Sequence, residues 1–167
     1  QRQPLRLLVA QAADAAQRLC LAPPAHSAPP LVHEAAYLLL TQPGCRPVWG
    51  LDTVSLASPA YDGAIVVTGS HGGLLDGQPA AALKCAARAA VFNDAGIGKD
   101  DSGLGRLAAL ETRGIAAATV DARTARIGDA RSCWESGIIS RCNDSALRAG
   151  ARQGMTAQSF VQLFLAP

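Results

Sequence analysis

The segment Gly69-Ser70-His71-Gly72-Gly73 places a hydroxyl and an imidazole between glycines that let the chain bend sharply. An unperturbed imidazole has a pKa of about 6.5, so His71 can accept or donate a proton near neutral pH. We predict that His71 moves protons, that Ser70 is a nucleophile or a substrate contact, and that Gly72 and Gly73 approach the ligand. The alternative is a tight turn in which His71 forms local hydrogen bonds.

A second glycine-rich segment runs from Asn93 to Gly103 and leads into a predicted helix. Asn93 and Asp94 stand where a strand is expected to end, and we predict that both contact the ligand. Asp94 would orient His71 or activate a water molecule. Three further residues supply exposed amides and a positive charge, which suit a carboxylate or a phosphate: Gly96, Gly98 and Lys99.

Two other ligands for this second segment stay open. A dinucleotide is one of them, because the run from Gly103 to Ala108 matches G-x-G-x-x-A, although it begins well past the strand. A divalent cation is the other, held by Asn93 and the nearby acids. We favour turn chemistry for Asp100 and Asp101, and we predict neither a metal nor a cofactor.

A third segment, Arg126-Ile127-Gly128-Asp129, carries an arginine close to a glycine. A guanidinium in such a place can hold a carboxylate through two parallel hydrogen bonds. Asp129 and Glu135 are alternative partners that would make Arg126 part of a salt-bridged scaffold. Both interpretations of Arg126 stay open.

Each of the three segments follows a short apolar run: 64–68, 89–93 and 115–120. Helices are predicted at 78–88, 102–113, within 132–149 and at 156–165. This alternation predicts an α/β protein, a three-layer sandwich with a mostly parallel sheet, Rossmann-like or flavodoxin-like. Ligands bind at the carboxyl ends of such strands, so we expect one pocket there. Its expected lining is Ser70, His71, Asn93, Asp94 and Arg126.

The remaining elements precede this repeat in the 167-residue chain, which we treat as a single domain. Residues 1–45 are predicted as a helical N-terminal segment, with helices at 5–21 and 31–40 and a proline-rich connector at 22–30. A strand is predicted at 48–56. The link from residue 56 to 64 is too short for a crossover helix, so this strand is expected to pair antiparallel or lie at an edge.

Composition excludes several classes of protein. Hydrophobic residues make up 49% and charged residues 17% of the chain, which rules out disorder. No stretch reaches the roughly 20 apolar residues of a membrane helix. A net charge of +2 and 4% aromatic residues do not favour nucleic acid or a membrane as partner. A homodimer and an assembly with a larger enzyme both stay open.

The five cysteines have no C-x-x-C pair, and their number is odd. This pattern is typical of free thiols rather than a disulfide framework or a zinc site. The opening segment lacks the apolar core of a signal peptide. We therefore expect a cytoplasmic protein with reduced cysteines.

Three blocks together resemble an uncharacterised family of small bacterial α/β proteins: Val66–Gly73, Val91–Asp100 and Ala125–Asp129. The resemblance covers roughly residues 52–150 and is specific in these blocks. It implies no activity, and the N-terminal segment lies outside it.

Two classes of function follow from these residues. The first is an enzyme, a hydrolase or lyase that acts on a small anionic metabolite, with Lys99 and Arg126 holding the anion and His71, Asp94 and Ser70 performing the chemistry. The alternative is a non-catalytic ligand-binding or assembly module, or a protein that binds a nucleotide or phosphate. In such a module His71 and Asp94 would not need to meet.

Overall fold

The computed structural model describes residues 35–74 and 77–167. Six strands form one sheet within these residues: β1 Ala36–Leu40, β2 Val48–Leu51, β3 Ile65–His71, β4 Ala89–Asn93, β5 Ala116–Val120 and β6 Ile139–Cys142. Four short helices accompany them: α1 Gly105–Glu111, α2 Ala130–Ser136, α3 Asp144–Arg148 and α4 Ala157–Gln162. The predicted helix at 5–21 and the connector at 22–30 lie outside the described residues.

The strands lie in the sheet in the order in which they occur in the chain. Strands β2 to β5 are parallel, whereas β1 pairs antiparallel with β2 and β6 pairs antiparallel with β5. The predicted α/β class and the mostly parallel sheet are confirmed. Rossmann and flavodoxin sheets each reverse their strand order at one point. This sheet has no such reversal, so the finer subdivision of the prediction is not confirmed.

Alternating side chains of the sheet pack into two cores, one on each face. Ile65 and Val67 of β3 belong to one core, and Val66 between them belongs to the other. The first core is closed by α2 and α4, with Cys133, Phe160 and Val161 buried in it. The second is closed by α1 and by the chain segments that link parallel strands. Many sheet positions are alanines, which leave room for these short elements to approach closely.

The apolar runs identified the three central strands correctly. The predicted strand at 89–93 coincides with β4, and those at 64–68 and 115–120 overlap β3 and β5. The helix at 102–113 is confirmed in part, because a 3-10 segment precedes α1, and Gly114 ends it with a φ of 66°. Thr156 caps α4, as a helix at 156–165 requires. The region 132–149 holds two short helices separated by β6.

The predicted helix at 31–40 is wrong where the structure describes it. Residues Ala36–Leu40 form β1, an edge strand whose backbone pairs with β2. The Tyr37 hydroxyl donates a hydrogen bond of 3.0 Å to the carboxylate of Asp52, just beyond β2. Pairing with a distant strand therefore outweighs the local helical preference of this leucine-rich run.

The expectation for the strand at 48–56 is also wrong. It ends at Leu51, pairs parallel with β3, and lies inside the sheet because β1 covers its other side. Two 3-10 turns, Val54–Leu56 and Pro59–Tyr61, carry the chain back to the start of β3. The crossover is compact and contains no α-helix.

The predicted helix at 78–88 does not form, and only a 3-10 turn at Pro79–Ala81 is present. The carbonyl groups of this segment bond to two arginine side chains instead. Arg106 donates to the carbonyls of residues 81 and 82, and Arg113 donates at 2.7 Å to those of residues 83 and 85. These carbonyl oxygens have their partners on another element, so the segment does not need helical hydrogen bonds.

Arg106 is almost completely buried, with 2% of its surface exposed. Its Nε also donates to the carbonyl of His71, and its guanidinium lies 5.7 Å from the ring centre of Phe92. Burial lowers the pKa of this guanidinium. The side chain therefore connects the end of β3, the crossover after it and α1.

None of the described helices combines the length and the apolar character that crossing a membrane requires.

We predict that Arg106→Ala destabilises the protein by about 3 kcal/mol, because it removes a buried side chain and leaves one buried and two partly buried carbonyl oxygens without their donor. Arg113→Ala should cost about 1 kcal/mol, since Arg113 is exposed and water can replace it. Urea denaturation followed by circular dichroism measures both.

Arg106→Lys covers the case in which the alanine variant does not fold. A lysine cannot reproduce the planar set of donors, so Arg106→Lys should also lower the free energy of unfolding by more than Arg113→Ala does. Equal losses for the Arg106 and Arg113 variants would contradict the role assigned to Arg106.

Candidate functional site

The carboxyl ends of β3, β4 and β5 lie side by side. His71 is the register partner of Asn93, and Asn93 is the partner of Val120. The β3–β4 register shifts between Val67 and His71, so that β3 contains two more residues than β4 over this stretch. Irregular pairing of this kind is common beside functional sites. The expected adjacency of the glycine-rich segments is therefore present in the structure.

Ser70 is engaged in the scaffold. Its Oγ accepts a hydrogen bond of 2.8 Å from the amide of Val54, in the turn that follows β2. Among the described residues, no histidine or carboxylate bonds to this hydroxyl, although a serine nucleophile needs such a base. The geometry makes Ser70 a support for the β2–β3 crossover.

His71 is half-buried, and its Nδ1 accepts a hydrogen bond of 3.1 Å from the amide of Gly73. With Nδ1 as acceptor, the neutral imidazole carries its proton on Nε2. His71 can therefore donate from Nε2 without disturbing the turn. Within the described part of the chain, no hydrogen bond or ion pair joins His71 to Asp94.

The glycines of this segment allow close packing. A Cβ at Gly72 would collide with the carbonyl of Gly103, and one at Gly73 would collide with that of Ser102. Gly69 meets the backbone of residues 128 and 129 in the same way, and its carbonyl accepts a hydrogen bond from the Gly128 amide. The three glycines thus bring the loops after β3, β4 and β5 together.

Asn93 and Asp94 are buried and hold the next two loops. Asn93 donates to the carbonyl of Ala125 at 3.0 Å and accepts from the amide of Ala95 at 2.9 Å. Asp94 accepts the amides of Gly96 at 2.8 Å and Ala122 at 3.0 Å through one carboxylate oxygen. Both side chains fix the backbone around them, and their contact with a ligand stays a prediction.

The loop after β4 is strained. Ala95 and Ile97 have φ values of 49° and 68°, a left-handed conformation that costs a non-glycine residue roughly 1–2 kcal/mol. Gly96 and Gly98 also have positive φ values, 77° and 75°, which glycine adopts without that cost. Lys99 follows with an exposed side chain and borders neither of the two clefts described next.

Two open clefts lie beside each other at the ends of β4 and β5. The first, which we call the apolar cleft, has a volume of about 510 Å³, and the second, the polar cleft, about 230 Å³. The apolar cleft is lined by Ala95, Ala122, Ala125, Arg126 and Ile127. The polar cleft is lined by Ala122, Arg123, Thr124, Ala125, Arg126, Ser132 and Ser136.

Arg126 borders both clefts, with 80% of its side chain exposed. Its Nε and Nη2 donate to one oxygen of Asp129, at 3.2 and 3.0 Å. The other oxygen of Asp129 accepts the amide of Ser132 and caps α2. Burial alone would raise the pKa of Asp129, but the Ser132 amide and Arg126 outweigh it and lower the pKa below its usual value.

Arg123 forms a similar pair in the polar cleft. Its Nε and Nη2 donate to Asp121, and 89% of its side chain is exposed. Hydrogen bonds from the side chain and the amide of Arg123 lower the pKa of Asp121 to about 2. For both arginines, Nη1 has no acceptor among the described residues.

Asp52 is a supporting residue that sequence analysis missed, and it borders neither cleft. One oxygen accepts the Tyr37 hydroxyl and the Ala130 amide, each at 3.0 Å, and the other accepts the Ala35 amide at 3.2 Å. Burial and the hydrogen bond to Asp52 raise the pKa of Tyr37 to about 12. Asp52 directly follows β2 and is thus a further polar residue at a carboxyl end. Because the strand was predicted to extend to residue 56, Asp52 was not recognised as a residue that follows a strand.

The five residues expected to line one pocket are neighbours in space with different roles. Arg126 borders the two clefts, and Asn93 and Asp94 hold the cleft walls from behind. Ser70 and His71 border neither cleft. In the part of the chain that the structure describes, no three histidine, cysteine or acidic side chains are grouped to hold a metal ion.

Comparisons with protein-family models, curated proteins and solved structures found no match to this chain.

The roles of Asn93 and Asp94 lead to a prediction about stability. Asp94→Ala should destabilise the protein by about 2–4 kcal/mol, because the amides of Gly96 and Ala122 lose a buried acceptor. Asp94→Asn retains an acceptor oxygen and should cost about 1 kcal/mol. Urea denaturation measures both losses, and equal losses would show that the charge matters rather than the acceptor.

Proposed function

We propose that the protein binds a small anionic molecule in the two clefts at the carboxyl ends of β4 and β5. The observation that carries this proposal is Arg126, which borders both clefts and presents Nη1 without an acceptor among the described residues. Asp129 occupies the side of the guanidinium formed by Nε and Nη2. The end formed by Nη1 and Nη2 can therefore bind a carboxylate or phosphate through two parallel hydrogen bonds.

The pair between Arg126 and Asp129 does not oppose such binding strongly. Ion pairs between exposed side chains contribute only about 0–1 kcal/mol. Arg126 is largely exposed, whereas Asp129 is held by the amide that it caps. The guanidinium can therefore turn toward a ligand at little cost while Asp129 stays in place.

Binding without catalysis accounts best for the groups that looked catalytic. Ser70, His71 and Asp94 each accept a backbone amide hydrogen. No two of these side chains bond to each other in the described structure, although nucleophile and base must meet in covalent catalysis. The ligand-binding alternative thus requires fewer changes to the observed geometry than a hydrolase or lyase does.

We place this binding in the cytoplasm. The cysteines follow no disulfide spacing, and the four in the described residues are free thiols: Cys45, Cys85, Cys133 and Cys142. Burial raises the pKa of Cys133 to about 12, which makes this thiol unreactive near neutral pH.

An enzyme, a hydrolase or lyase, is the second candidate, and one observation favours it. The hydrogen bond from Gly73 leaves neutral His71 with its proton on Nε2, where it can donate a hydrogen bond to negative charge that develops on a reacting group. Screening purified protein with small carboxylic and phosphate esters would reveal such an activity. His71→Ala should then reduce turnover by about 10²–10³-fold with little change in Tm. Unchanged turnover would exclude His71 as this donor.

The binding proposal predicts that acetate or phosphate raises the Tm of the full chain at constant ionic strength, because a ligand that binds only the folded state stabilises it. Arg126→Gln should weaken binding by roughly tenfold or more, as expected when a charged hydrogen-bond donor is lost. Titration calorimetry measures the two affinities.

Arg152→Gln is the matched control, since Arg152 is exposed and borders neither cleft. This variant should bind as the original chain does. Equal weakening of binding in both variants would indicate a general charge effect. If neither acetate nor phosphate binds, the proposal is overturned.

A further inference from the structure

The two clefts differ in chemistry and share one wall. Ala122, Ala125 and Arg126 border both of them. The apolar cleft adds Ala95 and Ile127 and is more than twice as large as the polar one. A ligand that fills both clefts must place different chemical groups on the two sides of Arg126.

We infer that the ligand is a monocarboxylate with an aliphatic or aromatic tail, the carboxylate in the polar cleft and the tail in the apolar one. This inference rests on the proposed anion-binding function and specifies its substrate class. Three observations support it independently. They are the charges of the polar cleft, the apolar surface of Ile127 and the hydrogen bonds that hold the walls of the apolar cleft.

The charges of the polar cleft favour a single negative charge on the ligand. Arg123 is paired with Asp121, and Arg126 is paired with Asp129, so the four groups are neutral together. A dianion would meet two carboxylates that already occupy one side of each guanidinium. A monoanion needs only the remaining donors of one arginine.

Ile127 supplies the apolar surface for the tail. It is 57% exposed, one of the few large apolar side chains of the described structure that face solvent to this degree. The small side chains of Ala95, Ala122 and Ala125 leave the space in front of it empty. A hydrocarbon tail in this space would remove apolar surface of both molecules from water.

The walls of the apolar cleft are held in place before any ligand arrives. Each wall alanine is tied through its backbone to a buried side chain: Ala95 and Ala125 to Asn93, and Ala122 to Asp94. A preformed cleft binds without the cost of ordering its loops. This gives Asn93 and Asp94 an indirect part in binding, because they position the surface that the tail would contact.

Calorimetric titration of the full chain with acetate, butyrate, hexanoate and octanoate, below their micelle concentrations, tests the inference. Affinity should rise about two- to fourfold per methylene until the cleft is filled. Ile127→Ser should reduce this dependence on chain length. Leu147→Ser is the matched control, because Leu147 is also exposed and borders neither cleft, and it should leave the dependence unchanged.

Two charge variants test the position of the carboxylate. Asp129→Asn keeps an oxygen that can cap α2 but removes the competing charge, so it should tighten binding of every member of the series by up to about fivefold. Arg126→Gln should weaken every member by roughly tenfold or more. Thermal melts of the variants check that each of them is folded.

The outcomes separate this inference from the proposed function. Affinity that depends on Arg126 but not on chain length would overturn the monocarboxylate inference and leave anion binding intact. A chain-length dependence that Ile127→Ser and Leu147→Ser reduce equally would place the tail elsewhere and also overturn it. Failure of every member to bind would overturn the monocarboxylate inference, and it would overturn the proposed function as well if phosphate also failed to bind.

Discussion

The buried guanidinium of Arg106 holds together the end of β3, the crossover after it and α1. It donates hydrogen bonds to the carbonyls of His71, Ala81 and Ala82, and its own amide donates to the carbonyl of Gly72. An arginine keeps its charge inside a protein, so its desolvation has to be offset by hydrogen bonds. Here backbone oxygens provide that compensation, and the crossover after β3 is held against α1 as a result.

This constraint explains why short irregular crossovers can replace helices in this sheet. Parallel strands are usually connected by an α-helix whose backbone groups bond to each other. Among its described residues, the segment between β3 and β4 forms only a 3-10 turn, and several of its carbonyls bond to Arg106 and Arg113. The second core is thereby closed by an extended segment with its own buried residues, Ala82 and Leu83 among them.

Polar residues at the strand ends divide into a supporting set, buried or half-buried, and an exposed set. Asn93, Asp94 and Asp52 are bonded to backbone groups of neighbouring loops, which fixes the rim of the sheet. Arg123 and Arg126 extend from that rim with most of their surface exposed. Support of this kind behind exposed charged side chains would suit the proposed binding of an anion, because the ligand need not reorganise the backbone.

Local sequence was sufficient to predict the central strands and to predict that their carboxyl ends lie side by side. The apolar runs that became β3, β4 and β5 can be recognised without knowledge of their neighbours, since strands buried on both faces need apolar side chains throughout. Gly114 and Thr156 likewise mark helix ends through chemistry confined to a few residues. Parallel strands then place the glycine-rich segments together at one edge.

Tertiary structure alone decided which polar groups were left for a ligand. The run Ala36–Leu40 forms a strand because its backbone pairs with β2. Residues 78–88 are irregular because two arginines about 25 to 30 residues away donate hydrogen bonds to their carbonyl oxygens. Asn93 and Asp94 resemble ligand contacts in sequence, yet in the folded chain Asn93 bonds to the backbone of Ala125 and Asp94 to that of Ala122, both in the loop after β5. A hydrogen-bond partner distant in the chain leaves no trace in local composition, which is why this supporting role could be recognised only in the folded protein.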